Sequence, residues 1–183
     1  MMYNNMKKKF LNIQELCVIG LFTALTCVIA PFSIPMPLGV PLTLQTFILS
    51  LVAIILGAKR GAIAALIYIV LGAFGLPVFS NFTGGWQVIT GLTGGFILSF
   101  PLMAYLVGLG ADNRSRFKGC FLLCVLLGNA INLLCGTTMF CLLSKSTFIA
   151  GLTACVIPFL PITVIKIVLS WIVGLNIKRR IVD

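Results

Sequence analysis

The sequence predicts an all-α polytopic membrane protein with six transmembrane helices and both termini in the cytoplasm. Composition is the first reason: 60% of residues are hydrophobic, 9% are charged, and mean hydropathy is +1.18. The second is the presence of six apolar stretches, which at about 20 residues per span take up roughly 120 of the 183 residues. The third is where the positive charges fall. Eleven of the thirteen basic residues cluster at Lys7–Lys9, Lys59–Arg60, Arg114–Lys118 and Lys178–Arg180. Those clusters are the two termini and every second gap between the stretches. The alternate gaps near 31–42 and 77–90 carry no charge, and the one near 144–152 carries only Lys145. Basic flanks stay cytoplasmic, so the uncharged gaps are expected outside. The net charge of +10 is explained by this topology, and no nucleic-acid partner is expected. The whole chain, 1–183, reads as one six-helix domain in the cell membrane. No small-x-small cleavage site follows the first stretch, so that stretch is expected to stay as a span.

The spans follow in order. Span 1 is expected over Ile13–Ala30, ended by Pro31. The connector Pro31–Pro41 has four prolines and cannot be helical. Span 2, Leu42–Leu56, is short. Gly57–Gly61 reads as a tight cytoplasmic turn, and span 3 as Ala62–Leu76. A Gly- and aromatic-rich loop runs from Pro77 to Gly91. Span 4 covers Thr93–Gly110, a polar loop Ala111–Gly119 follows, and span 5 covers Cys120–Leu143. Thr147–Ile157 is apolar but too short to cross, and it reads as interfacial or partly re-entrant. Span 6 is Pro161–Ile177.

The two outer connectors are apolar, with Phe32, Met36, Phe79, Phe82 and Trp86. Apolar, non-helical chain at a bilayer is tolerated where it packs on protein or lines a cavity. The loops are therefore expected to fold as a lid over a pocket open to the outside. Seven cysteines, an odd number within or beside apolar runs, and no histidine argue against both a disulfide framework and a zinc site.

Catalysis has no candidate residues. The acids Glu15, Asp112 and Asp183 all lie at cytoplasmic positions, and there is no histidine for general acid–base work. An acid-based proton or sodium path is missing for the same reason. No G-x-x-x-x-G-K-[ST] sequence occurs, so this chain is not expected to hydrolyse ATP. The expected function is binding, without enzyme activity or cofactor, and any transport must draw its energy from another subunit. A structural or assembly role in the membrane is the alternative from another class.

Lys166 stands out within Ile162–Trp171. A lysine in a span costs roughly 2.5–3.5 kcal/mol on insertion scales. With no acid at that depth, it is expected to meet an anionic or polar part of a ligand, Thr163 lying on the same helix face. Gln45, Tyr68 and Asn81 add neutral hydrogen-bonding groups, and Phe79 and Trp86 add apolar surface. For Asn129 and Asn132, interhelical bonding and ligand contact stand level. One cation among neutral polar groups suits a small uncharged polar head carrying a carboxylate.

An ordered set of motifs runs through the chain. It comprises Val40-Pro-Leu-Thr-Leu-Gln-Thr-Phe47, Gly57-Ala-Lys-Arg-Gly-Ala62, Tyr68-Ile-Val-Leu-Gly72 and Gly75-Leu-Pro-Val-Phe79. Gly84-Gly85, Gly91-Leu-Thr-Gly-Gly95 and Pro158-Phe-Leu-Pro161 with Lys166 complete it. This set resembles BioY, the biotin-binding subunit family of energy-coupling factor (ECF) transporters, over nearly the whole chain. The resemblance implies a six-helix protein that takes up vitamin from outside. It also implies an ECF transmembrane coupling protein and two cytoplasmic ATPase subunits as partners. Asn81 matches a family contact to the ureido ring of biotin, and Lys166 matches the motif lysine. Two positions depart from the pattern. Leu92 replaces a proline, and Pro161-Ile162-Thr163 stands where the family commonly has Pro-Gly-Asp, whose acid is expected to accept from the ureido N–H groups. A hydroxyl accepts more weakly than a carboxylate, which makes lipoate, with its pentanoate tail and no ureido ring, a second candidate ligand. Gly20 and Ala24 form a small-x-x-x-small pair that lets another helix approach. By the resemblance, that helix belongs to the coupling protein.

Overall fold

The computed structural model describes residues 12–34, 40–113, 118–157 and 160–182. Prolines 35 and 37 of the first connector, and Met36 between them, lie outside the described residues. Helix α1 (Ile13–Ile29) begins at Asn12, whose side-chain oxygen accepts from the Ile13 N–H at 2.9 Å. Glu15 reaches back to the Asn12 N–H at 3.2 Å, which closes a capping box. Glu15 also meets Arg60 at 2.5 Å and so ties the start of α1 to a later helix. Thr23 and Thr26 are buried, and their hydroxyls are satisfied by the carbonyls of Ile19 and Phe22, both at 2.8 Å.

Beyond α1 a short antiparallel pair forms, β1 (Ser33–Ile34) with β2 (Leu42–Thr43), Ser33 opposite Thr43. Helix α2 (Gln45–Leu56) lies at the centre, with ten of its twelve residues buried. It is apolar on all sides and packs against α1, α3, α5 and α8. At 1.5 Å per residue it is only about 18 Å long, so extended chain at β2 continues the path toward the first connector.

Helix α3 (Ala58–Ala73) starts one residue after α2 ends. The expected turn Gly57–Gly61 thus shrinks to Gly57 alone, with φ +82°, and Ala58-Lys-Arg-Gly61 forms the first helical turn. The reason is a distant cap. Asp112, at the far end of α5, accepts from the Ala58 N–H at 2.9 Å and satisfies an orphan donor that no local residue meets. Asp112 crowds Gly57 as well: a Cβ there would sit 2.6 Å from a carboxylate oxygen.

The loop after α3 carries a 3₁₀ turn (Ser80–Phe82), with Asn81 and Phe82 both at φ 56°, and a single-turn helix α4 (Trp86–Ile89). Helices α5 (Gly94–Asp112) and α6 (Lys118–Ser144) form the most extensive helix pair. Helix α7 (Phe148–Cys155) folds back on α6 behind the N-cap Thr147, and eight residues are too few to span a bilayer. Helix α8 (Leu160–Val182) lies along α2, where Gly174 admits Ile54. By length and composition α5 and Gly119–Ser144 of α6 can cross a membrane, while α1, α2 and Leu160–Gly174 are shorter apolar helices.

Candidate functional site

A cavity of about 570 Å³, counted with its open mouth, lies where seven segments converge. Val40, Pro41 and Thr43 of the first connector and Ser80 of the second meet there. Gln45 and Thr46 enter from the start of α2, and Thr163 and Lys166 from α8. Thr93, the N-cap of α5, lines it with Phe96, Ile97 and Phe100 of that helix, Asn132 and Leu133 enter from α6, and Cys155 from the end of α7. The mixture of apolar walls with a few polar groups is that of small-molecule sites.

Lys166 turns inward. Its ammonium donates to the carbonyl of Thr43 and, at 3.4 Å, to the hydroxyl of Thr46. Thr43 ends β2 just before α2, where the backbone is extended and its carbonyl is free of helical bonding. Both partners are neutral, so the positive charge at the cavity wall stays uncompensated by them. No carboxylate is among the described residues lining the cavity.

The expected site residues divide into two groups. Gln45, Thr163 and Lys166 line the cavity together. Tyr68, Phe79, Asn81 and Trp86 do not. Tyr68 is fully buried one layer behind Gln45, from which it accepts a hydrogen bond at 2.8 Å while donating to the Val78 carbonyl at 2.8 Å. Phe79 is sealed against Tyr68, edge to face at 5.6 Å. Its ring fills the space a side chain at Gly72 would need. Asn81 is exposed and knits the two connectors together. Its N–H donates to the Pro31 carbonyl at 3.0 Å and to Ser33 Oγ at 2.9 Å, and its Oδ1 accepts from Ser33 at 2.8 Å. Phe32 and Phe82 stack edge to face beside it at 5.5 Å. Trp86 is exposed at the surface. The pair expected to meet a partner helix lies elsewhere, since Gly20 and Ala24 are both exposed on α1 and, among the described residues, no neighbour lies within 4 Å of a Cβ placed on Gly20.

The α5 wall was missed as a site in the sequence. Thr93, Phe96, Ile97 and Phe100 follow the i, i+3, i+4, i+7 spacing of one helical face, which was the available signal. A uniformly apolar span hid it, because lipid-facing and cavity-facing sides there have the same composition.

The fold and cavity define a class: a mostly helical protein with a cavity of mixed polar and apolar lining at the start of its central helix. The chain belongs to the BioY family, whose pattern matches residues 4–183. It is 48% identical over 104 residues to the biotin transporter BioY of Thermotoga maritima, covering 57% of this chain and 61% of that protein. It is 46% identical over 97 residues to a probable biotin transporter BioY of Pyrococcus horikoshii, covering 53% and 59%. The alignments thus span about three fifths of those two relatives. Biotin transporter BioY2 of Lactococcus lactis subsp. cremoris matches at 33% identity over 171 residues, 92% of each chain. In fold, the chain resembles the crystal structure of the S-component for biotin from an ECF-type ABC transporter. The TM-score is 0.79 at 22% identity, over 98% of this chain and 94% of that one.

Proposed function

We propose that the protein is the biotin-binding membrane subunit of an ECF transporter. In this reading six segments cross the membrane, both termini are cytoplasmic and the cavity opens outward. A coupling protein and two ATPase subunits supply the energy. The cavity with Lys166 at its wall supports this most, as a lone cation among neutral donors and acceptors that a small polar vitamin would complete. Family membership and the fold likeness support it independently. Coexpression with an ECF module is expected to enable biotin uptake, while the chain alone binds without accumulating. A purified protein that takes up no vitamin in calorimetry, and carries none through purification, would favour the structural role instead.

Thr163 at the cavity keeps lipoate as a second ligand. With a hydroxyl at this position and no carboxylate on the lining, the site holds weaker acceptors for a ureido ring than an acid would provide. Thr163→Asp separates the two ligands. Biotin binding is expected to hold or improve, whereas lipoate binding is expected to fall, since an anion would face an apolar dithiolane and pair with Lys166. Calorimetry of both proteins against both vitamins reads the difference.

Sidedness has its own test. Ser80 is buried, whereas Thr83 in the same loop is exposed. A cysteine placed at Thr83 in a cysteine-free background is expected to react with an impermeant thiol reagent added outside intact cells. Labelling from the cytoplasmic side alone would reverse the topology.

A further inference from the structure

Two side-chain amides line the cavity, and each is held in one orientation from behind. Asn132 donates through Nδ2 to the Phe96 carbonyl at 2.9 Å and to Ser99 Oγ at 2.8 Å. A carbonyl can only accept, so the amino group must face it. Ser99 is spoken for in the same sense, because its hydroxyl donates to the Phe96 carbonyl at 3.0 Å and is left to accept from Asn132. Gln45 repeats the pattern. The Tyr68 hydroxyl donates to the Val78 carbonyl, so it must accept from Gln45 Nε2. Both amino groups therefore turn into the protein, and both amide oxygens point the other way.

Those two oxygens accept no hydrogen bond among the described residues, although Gln45 is only 5% exposed and Asn132 only 2%. A fully sealed orphan of this kind does occur at Thr137 Oγ1, and the two amide oxygens are not sealed like it. They reach open space, and the space both residues line is the cavity. Buried acceptors are costly to leave unpaired.

We infer that Gln45 and Asn132 present two fixed acceptor oxygens to the ligand, so that the site selects a head group bringing two hydrogen-bond donors. Tyr68 and Ser99 act as positioning residues that hold the amides in this sense. The inference rests on the proposed function and deepens it. A ureido ring carries two N–H donors, whereas the dithiolane of lipoate carries none. The cavity thus replaces one strong carboxylate acceptor with two neutral ones.

The test is calorimetry of the purified full chain with biotin and with two cyclic carbamate analogues, each replacing one ring N–H by O. Both carbamates are expected to bind wild-type protein about tenfold or more weakly than biotin, since each leaves one acceptor unpaired and brings an oxygen against it. Gln45→Met is expected to erase the penalty for one carbamate and Asn132→Leu for the other. Should either variant fail to fold, Tyr68→Phe and Ser99→Ala release the amides and are expected to shrink the same ratios. Carbamates that bind wild-type protein as tightly as biotin would overturn this inference and leave the biotin function standing, as would ratios unchanged in every folded variant. Absence of biotin binding by wild-type protein would overturn the proposed function itself, and this inference with it.

Discussion

Lys166→Ala is expected to weaken binding of the cognate vitamin by about 2 kcal/mol or more, the scale of a lost charge-assisted hydrogen bond. That corresponds to roughly a 30-fold rise in Kd. A cation held away from bulk water is costly to keep, and among the described residues its hydrogen-bond partners are the neutral oxygens of Thr43 and Thr46. A ligand that brings a carboxylate or a polarised carbonyl improves the surroundings of the charge, and that gain appears as affinity. Stability should move the other way or stay level, because alanine removes a partly desolvated charge without orphaning an ionised partner. Calorimetry and thermal unfolding of the same purified variant separate the two effects. Unchanged affinity for every ligand the wild type binds would remove Lys166 from the site.

The helix pattern was largely legible because apolar run length and charge placement act locally along the chain. What was illegible depends on partners far away in sequence. Ala58-Lys-Arg-Gly61 looks like a turn until Asp112 arrives from α5 to cap it. Tyr68 carries a hydroxyl in an apolar span, and its chemistry suggested a ligand contact. It satisfies Gln45 and the Val78 carbonyl instead, so its effect on the cavity passes through Gln45. Asn81 sits in a connector rich in apolar residues, and its polarity is taken up in joining that connector to Ser33 and Pro31. Lys166 was legible for the opposite reason: a charge inside an apolar run is anomalous before any neighbour is known. The α5 wall lacked such an anomaly, since Phe96 and Phe100 resemble any lipid-facing aromatic until α2, α3 and α6 pack against their helix.

One substitution at two glycines is expected to give opposite results. Gly95 lies in the seam between α5 and α6, where an added Cβ would fall 2.4 Å from the Cys135 carbonyl oxygen and 2.7 Å from the Met139 Cβ. A helical carbonyl cannot swing aside, so Gly95→Val must push the two helices apart. Overpacking of this kind costs about 1–3 kcal/mol or more. Phe96 and Ile97 follow directly on α5, and Asn132 and Leu133 are one turn away on α6, so separation also moves two walls of the cavity. Gly95→Val is therefore expected to lower both the unfolding temperature and the affinity for ligand. Gly20→Val should do neither, because among the described residues a Cβ there meets nothing within 4 Å. Valine at Gly20, or Ala24→Leu one turn on, should instead obstruct close approach of a partner helix. The expected result is normal binding by purified protein with impaired uptake in cells that coexpress an ECF module. Thermal unfolding, calorimetry and uptake measured side by side distinguish the two glycines. Normal uptake by both the Gly20→Val and Ala24→Leu proteins would take this face of α1 out of coupling.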